Sequence, residues 1–161
     1  YIINRFGVIS GPWQFGKQEQ GFVSLWIWSH LNKKKLSYIG YGGKGHQVRD
    51  VIHIEDVCEL ILKQINQFSK KHNLLLNVGG GRNNAISLKT LTQKCQIITA
   101  NTIKFSIKKK TSVYDIPYFV TDNSKVNNLY KWKPQKSIDD IITDTYLWMI
   151  VNLNKIKKYF K

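Results

Sequence analysis

Arginine, acid, cysteine and long apolar runs are all scarce in this sequence. Only three arginines, Arg5, Arg49 and Arg82, stand beside 22 lysines. Proteins that read phosphates and base edges lean on arginine's planar fork. A formal charge of +15 carried by scattered lysine therefore does not point to a specific nucleic-acid partner. The runs Lys33–Lys35 and Lys108–Lys110 read as solvated loops. The two cysteines, Cys58 and Cys95, fall inside helical patterns. They predict buried free thiols in a reducing, cytoplasmic setting, not a disulfide. No apolar run approaches the roughly 18 residues that span a bilayer, so no membrane partner is expected. Metal-ligand spacing is missing as well. His30, His46, His53 and His72 are dispersed, and no metal site is expected from them. No Gly-x-Ser-x-Gly elbow and no complete dinucleotide fingerprint occur. Gly79-Gly80-Gly81-Arg82 has Asn84 where a third glycine would be needed.

What is present is a 161-residue chain with 42% hydrophobic residues, enough for one compact domain with a core. Its centre is the stretch Tyr38 to Asp56. A short apolar run meets a turn holding Gly40, Gly42, Gly43 and Gly45. Then come Gln47-Val48-Arg49-Asp50, an apolar run through Ile54, and a helix start at Glu55-Asp56. Two readings stay open. One is a hairpin with an Arg-Asp surface pair. The other is a loop of little bulk that lets a phosphate come close to the Arg49 fork. The loop is not a P-loop, because no Ser or Thr follows Lys44.

Around this centre strands and helices alternate. Tyr1–Ser10 reads as a buried strand ended by Gly11-Pro12, followed by a loop over Trp13–Gln20. Gly21–Leu31 reads as a helix apolar on two sides. Glu55–Phe68 is the clearest amphipathic helix. Leu74–Val78 is a short strand, and Ser87 is placed to cap a helix through Ile98. Strands follow at Ile103–Ile107 and Tyr118–Val120. Asp122 is read as the cap of a helix through Leu129, and Ser137 as the cap of the last one. The alternation predicts an α/β fold. The chain opens on Tyr1 inside a strand-like run, which leads us to expect a longer protein.

GYGGKGHQVRDVIHIEDV resembles the Gly-x-Gly-x-Gln-x-Arg-Asp-x-x-His-Val-x-Asp-Val signature of extended short-chain dehydrogenase/reductases. These are the NAD-dependent nucleotide-sugar epimerases and dehydratases. RFGVISGPWQ, LLLNVGGG and DIPYFVTDNSKVNNLYKWKP resemble further motifs of that family, in the same order. The spelling is most similar to the CDP-paratose 2-epimerase-like subgroup.

The resemblance implies a Rossmann-like enzyme of which residues 1–161 form the C-terminal, substrate-binding part. The N-terminal NAD-binding strands and helices would be missing. It implies NAD as cofactor, a nucleotide-diphosphate sugar as partner and homodimers among full-length homologues. The family's Tyr-x-x-x-Lys pair is absent, so the fragment is expected to be inactive by itself. Arg49 would bind the substrate diphosphate and Asp115 the nucleotide ribose. Gly7 would lie near the nicotinamide, and Gln20, Gly21 and Phe22 would open a helix facing the diphosphate. Two positions depart from the pattern. Val8 stands where the family usually has Asn, and Ser112 where it has a second phosphate-binding Arg. Lys108–Lys110 are candidates to compensate for the latter.

Overall fold

The computed structural model describes residues 1–17 and 20–160. Gln18 and Glu19, in the expected Trp13–Gln20 loop, lie outside the described residues. The first ten residues do not form one strand. They form β1 (Ile2–Phe6) and β2 (Val8–Ser10), divided at Gly7. β1 runs parallel to β5 (Leu74–Val78), whereas β2 runs parallel to β4 (Val48–His53). The chain therefore leaves one strand partner and takes another within a single residue. The Gly7 N–H still donates to the Val78 carbonyl at 2.8 Å.

β4 is the hub of its sheet. Besides β2 it pairs antiparallel with β6 (Ala85–Ser87) and parallel with β8 (Tyr118–Phe119). A separate parallel pair joins β3 (Leu36–Ile39) to β7 (Phe105–Lys108). These pairings remove the hairpin reading. β3 and β4 flank the glycine turn but never pair with each other. The turn is a crossover between two sheets.

Among the described residues six α-helices cover the strands: α1 (Phe22–Leu31), α2 (Ile54–Asn66), α3 (Leu88–Thr99), α4 (Ser124–Tyr130), α5 (Ile138–Val151) and α6 (Leu153–Ile156). They build two cores. One gathers α1, α3 and α5 around Val23, Ile27, Trp28, Leu91 and Met149. The other sets Leu60 of α2 and Val126 of α4 against Leu76, Val78 and Trp132. Successive strand side chains point to opposite faces, so Val51 enters the first core and Ile52 the second. α1 is buried nearly all round, as a helix apolar on two sides must be.

The helix ends follow the capping expectations with one change. Ser87 and Ser137 accept the amide protons of Thr90 and Asp140, and Ser137 with Asp140 completes a capping box. Asp122 is not the cap residue of α4; Asn123 holds that place. The Asp122 carboxylate instead accepts from the Ser124 N–H and hydroxyl, which holds its pKa below the usual carboxylate range. The cysteines are both free, but only Cys95 is buried, and burial pushes its thiol pKa up. Cys58 is exposed, because it lies off the buried stripe of α2 formed by Val57, Leu60 and Gln64. No helix among the described residues is long and apolar enough to cross a membrane.

Ile3 and Leu75 face solvent from β1 and β5, and Ile61, Ile65 and Phe68 line an apolar groove with Ile2. Exposed apolar surface next to a strand edge favours self-association. We therefore expect the purified chain to sediment as a concentration-dependent mixture. Replacing Ile3 and Ile65 by Lys should shift it to monomer. A monomeric wild-type chain over a wide concentration range would contradict this expectation.

Candidate functional site

Alternation along β4 sends Arg49 and Asp50 to opposite faces, so these neighbours cannot pair. Asp50 is fully buried. Its Oδ2 accepts the Gly81 N–H at 2.9 Å and its Oδ1 accepts the Thr121 hydroxyl at 3.2 Å. A buried carboxylate with two donors ties β4 to the turn after β5 and to the segment after β8. Asn123 adds a second tie, exchanging two hydrogen bonds with the Gly79 backbone. The turn must come close to allow this. A Cβ on Gly80 would lie 2.0 Å from the Val51 carbonyl oxygen.

Arg49 lies on the other face. Its Nη2 donates to Asp115 Oδ1 at 2.6 Å and its Nη1 to its neighbour's carbonyl, Val48 O, at 2.7 Å. Both side chains of the Arg49–Asp115 pair are about a quarter exposed (24% and 30%). The Tyr41 hydroxyl donates to the Asp115 carbonyl oxygen. Its pKa is raised, first by desolvation and then by the Asp115 carboxylate, so it stays a donor. The structure thus brings Arg49 and Asp115 together. Ser112 accepts from the Tyr114 N–H in the exposed turn just before Asp115.

The glycine turn does not leave the open space that its composition suggested. Gly43 has φ +70°, and a Cβ there would lie 2.1 Å from Ile107 Cγ2. The ring of Tyr38 fills the corresponding space at Gly45. Only Gly42 of the four has nothing near it. These glycines serve the left-handed backbone and close packing on β7 and β3.

A second group of expected residues meets in a cleft of about 360 Å³. Gly7, Val8 and Ile9 form one wall, and Gln20, Gly21 and Phe22 form the other. Gln14 spans it, donating to the Ile9 carbonyl at 2.6 Å and accepting from the Ser24 hydroxyl at 3.0 Å. α1 begins at the cleft with Gly21 in the left-handed region and no side-chain cap. No side chain caps its first turn, in which Phe22 is half-buried and Val23 and Ser24 are buried. Arg49 and Asp115 do not line this cleft. Gln14, Thr121 and Asn123 have no role in the sequence alone, and Asp50, expected there as the surface partner of Arg49, is instead fully buried and bonded to Gly81 and Thr121. The only signal was an Asp inside an otherwise apolar strand pattern.

His53, Glu55 and Asp144 converge, with one possible ligand atom each inside 4.8 Å of the others. Dispersed spacing had hidden this grouping, since Asp144 comes from α5. The cluster is already served by cations and donors. His53 Nδ1 accepts the Glu55 N–H at 3.0 Å, which leaves the ring proton on Nε2, 3.6 Å from Asp144 Oδ2. The Lys136 ammonium reaches Asp144 Oδ2 at 2.9 Å and Glu55 Oε2 at 3.4 Å. A metal would have to displace Lys136 and strip the Nε2 proton. The group acts as the cap of α2 and its tie to α5.

A profile described as the NAD dependent epimerase/dehydratase family matches residues 1–79. The chain is 30% identical over 157 residues to CDP-paratose 2-epimerase of Salmonella typhi, covering 91% of this chain and 44% of that protein. It is 25% identical to dTDP-glucose 4,6-dehydratase of Shigella flexneri, covering 91% of this chain and 40% of that protein. It therefore spans under half the length of these relatives. Among solved structures, UDP-glucose 4-epimerase of Thermotoga maritima, crystallised with UDP-glucose, superposes with a TM-score of 0.80 at 23% identity. The match covers 95% of this chain and 47% of that one. UDP-glucuronic acid 4-epimerase of Bacillus cereus, with UDP-glucuronic acid and NAD, gives a TM-score of 0.77 at 22% identity, covering 93% and 45%. At such identities the likeness speaks for the fold, a Rossmann-like α/β arrangement.

Asp50 offers a direct check of the architecture. Asp50→Ala strands the Gly81 amide and the Thr121 hydroxyl in a closed space. We expect a loss of roughly 3 kcal/mol or more in urea unfolding. Asp50→Asn keeps the shape and one acceptor and should lose about half as much. Equal midpoints for wild type and Asp50→Ala would remove Asp50 from its central place.

Proposed function

The chain belongs to the NAD dependent epimerase/dehydratase family, and from that premise we propose that it is the nucleotide-sugar-binding part of a CDP-paratose 2-epimerase-like enzyme. The observation that carries the reading is the cleft between β2 and α1. It sets Gly7, at the carboxyl end of a parallel strand, opposite uncapped amides at Gly21 and Phe22. Ligands of parallel α/β sheets sit at such strand ends. A diphosphate suits free amides of a helix start.

NAD, the family's cofactor, supplies a hydride acceptor and donor when bound. The residues present fit one side of such a group. A Cβ at Gly7 would stand 3.0 Å from Thr121 Oγ1, on the side of the Asp50–Thr121 knot, so glycine lets this part of the cleft wall sit close against the knot. In this reading the chain's own residues bind and orient. Gln14 holds β2 and α1 at a fixed separation. Gln20, Gly21 and Phe22 receive the substrate diphosphate. Arg49 turns part of its fork from Asp115 to a phosphate oxygen, and Asp115 receives the ribose. The proton-transfer pair Tyr-x-x-x-Lys is not among these residues, so the 161-residue chain binds without turning over.

A second reading is a non-catalytic remnant, and the Arg49–Asp115 ion pair favours it: a paired arginine is a structural element. Titration of a CDP-sugar separates the two. Under our reading Arg49→Ala weakens binding by about 1.5–3 kcal/mol, roughly ten- to hundredfold, and Arg49→Lys recovers part of that. The remnant predicts equal affinity for all three proteins with a lower Tm in the variants. Turnover by the isolated chain above a mock preparation would overturn the division of labour proposed here.

A further inference from the structure

A further cleft, of about 1070 Å³, lies on neither group of residues above. It opens between α1, β3 and the C-terminal turn. Its apolar floor includes Leu25, Leu36 and Ile39. Its rim carries Lys34, Lys35 and Lys158, with Lys17 on the loop side. No acidic side chain is among its described lining residues.

The charge balance of the rim sets it apart. Acidic residues elsewhere are engaged: Asp115 by Arg49, Glu59 by Lys63, Asp139 by Lys94, and Glu55 and Asp144 by Lys136. Among the described residues, Lys35 and Lys158 have no carboxylate within ion-pair distance. Lys34 donates to the Phe160 carbonyl at 3.2 Å, which pins the C-terminal turn against the α1–β3 connection. Phe160 in turn stacks on Trp28 at 4.4 Å, so the turn bearing Lys158 is held by the main core. Distant parts of the chain are thereby fastened side by side with like charges at the mouth of one cleft. Like charges raise the energy of the empty rim, and low-dielectric walls focus the field into the cleft.

We propose that this cleft is a binding site for a phosphate-bearing anion with an apolar body. The phosphate meets Lys35 and Lys158 at the rim, and the apolar body lies on the floor of Leu25, Leu36 and Ile39. The site is separate from Arg49, and the inference does not depend on the function proposed above.

The test titrates the 161-residue chain with inorganic phosphate and with 1-naphthyl phosphate at low ionic strength, followed by calorimetry. Naphthyl phosphate should bind saturably and more tightly than inorganic phosphate. Lys35→Glu/Lys158→Glu should weaken it at least about tenfold, the scale of a lost charge-assisted contact. Both positions are exposed, so the fold should survive the change. Lys70→Glu/Lys133→Glu, an equal change of charge at exposed positions beside α2 and after α4, should leave affinity intact, as should Arg49→Ala. Equal affinity for the two probes overturns the proposal. So does an equal loss in the control double variant, which would mean diffuse attraction to a basic protein. Loss in Arg49→Ala without loss in Lys35→Glu/Lys158→Glu would also overturn it while favouring the diphosphate role of Arg49. A duplex oligonucleotide that binds through Lys35 and Lys158 where naphthyl phosphate does not would assign the rim to another partner.

Discussion

Asp50 is the constraint on which the arrangement of strands depends. A carboxylate with no exposure is tolerable only if its charge meets good donors, and here they come from Gly81 and Thr121. Those donors sit on segments far apart in the chain. Their meeting at β4 requires the turn after β5 to run against the strand, and only glycine at positions 79 and 80 permits that approach. The same knot stands beside Gly7, where the first strand changes partners. A Cβ at Gly7 would press on Thr121 at 3.0 Å and approach Asp50 at 3.5 Å. The cleft wall at Gly7 and Val8 is thus positioned by a buried carboxylate.

From that hub the rest follows by strand periodicity. Ile52 enters the core of α2 and α4 and Val51 the core of α1, α3 and α5; Asp50 shares the face of Ile52, and Arg49 that of Val51. One strand supplies a structural carboxylate to one layer and a guanidinium to the other. A shift of one residue in its register would exchange them, placing Arg49 in the closed knot and Asp50 in the open layer. The pairing of β4 with three strands, β2 along its second half and β6 and β8 along its first, opposes such a slip.

Much of this was legible in the sequence, and the reasons for the rest are physical. α1, α2, α3 and α5 announced themselves by periodicity and by capping serines. The family motifs stood in order. What periodicity does not carry is pairing. The glycine turn between two strand patterns looks like a hairpin locally, and only the partners of β3 and β4 reveal a crossover. Gly7 inside an apolar run gave no sign that one strand becomes two. Side-chain groupings were least visible, because they join distant residues: Asp50 with Thr121, His53 with Asp144, Gln14 with Ser24. The open-loop reading of the glycines failed for a related reason. Missing side chains leave room, but the room was taken by Ile107 and Tyr38.

The state of Arg49 bears on how a ligand would engage it. Its contact with Asp115 is a single-point pair, with both side chains partly exposed. Pairs of that kind contribute about 0–1 kcal/mol in water. A bidentate pair with a desolvated phosphate oxygen pair is stronger than that, because the fork matches two acceptors and the surroundings screen less. Exchange of partner therefore costs little, and Asp115 does not lose its place. Its Oδ1 also accepts the Ile116 N–H, and its carbonyl accepts the Tyr41 hydroxyl. Tyr41 belongs to the glycine turn, whose left-handed residues are packed against β7. The turn carries Tyr41, Tyr41 bonds the Asp115 carbonyl, and Asp115 with the Val48 carbonyl fixes the position of the guanidinium. Preorganisation of this sort lowers the entropy lost on binding. The arginine is held in place by a partner weak enough to be replaced.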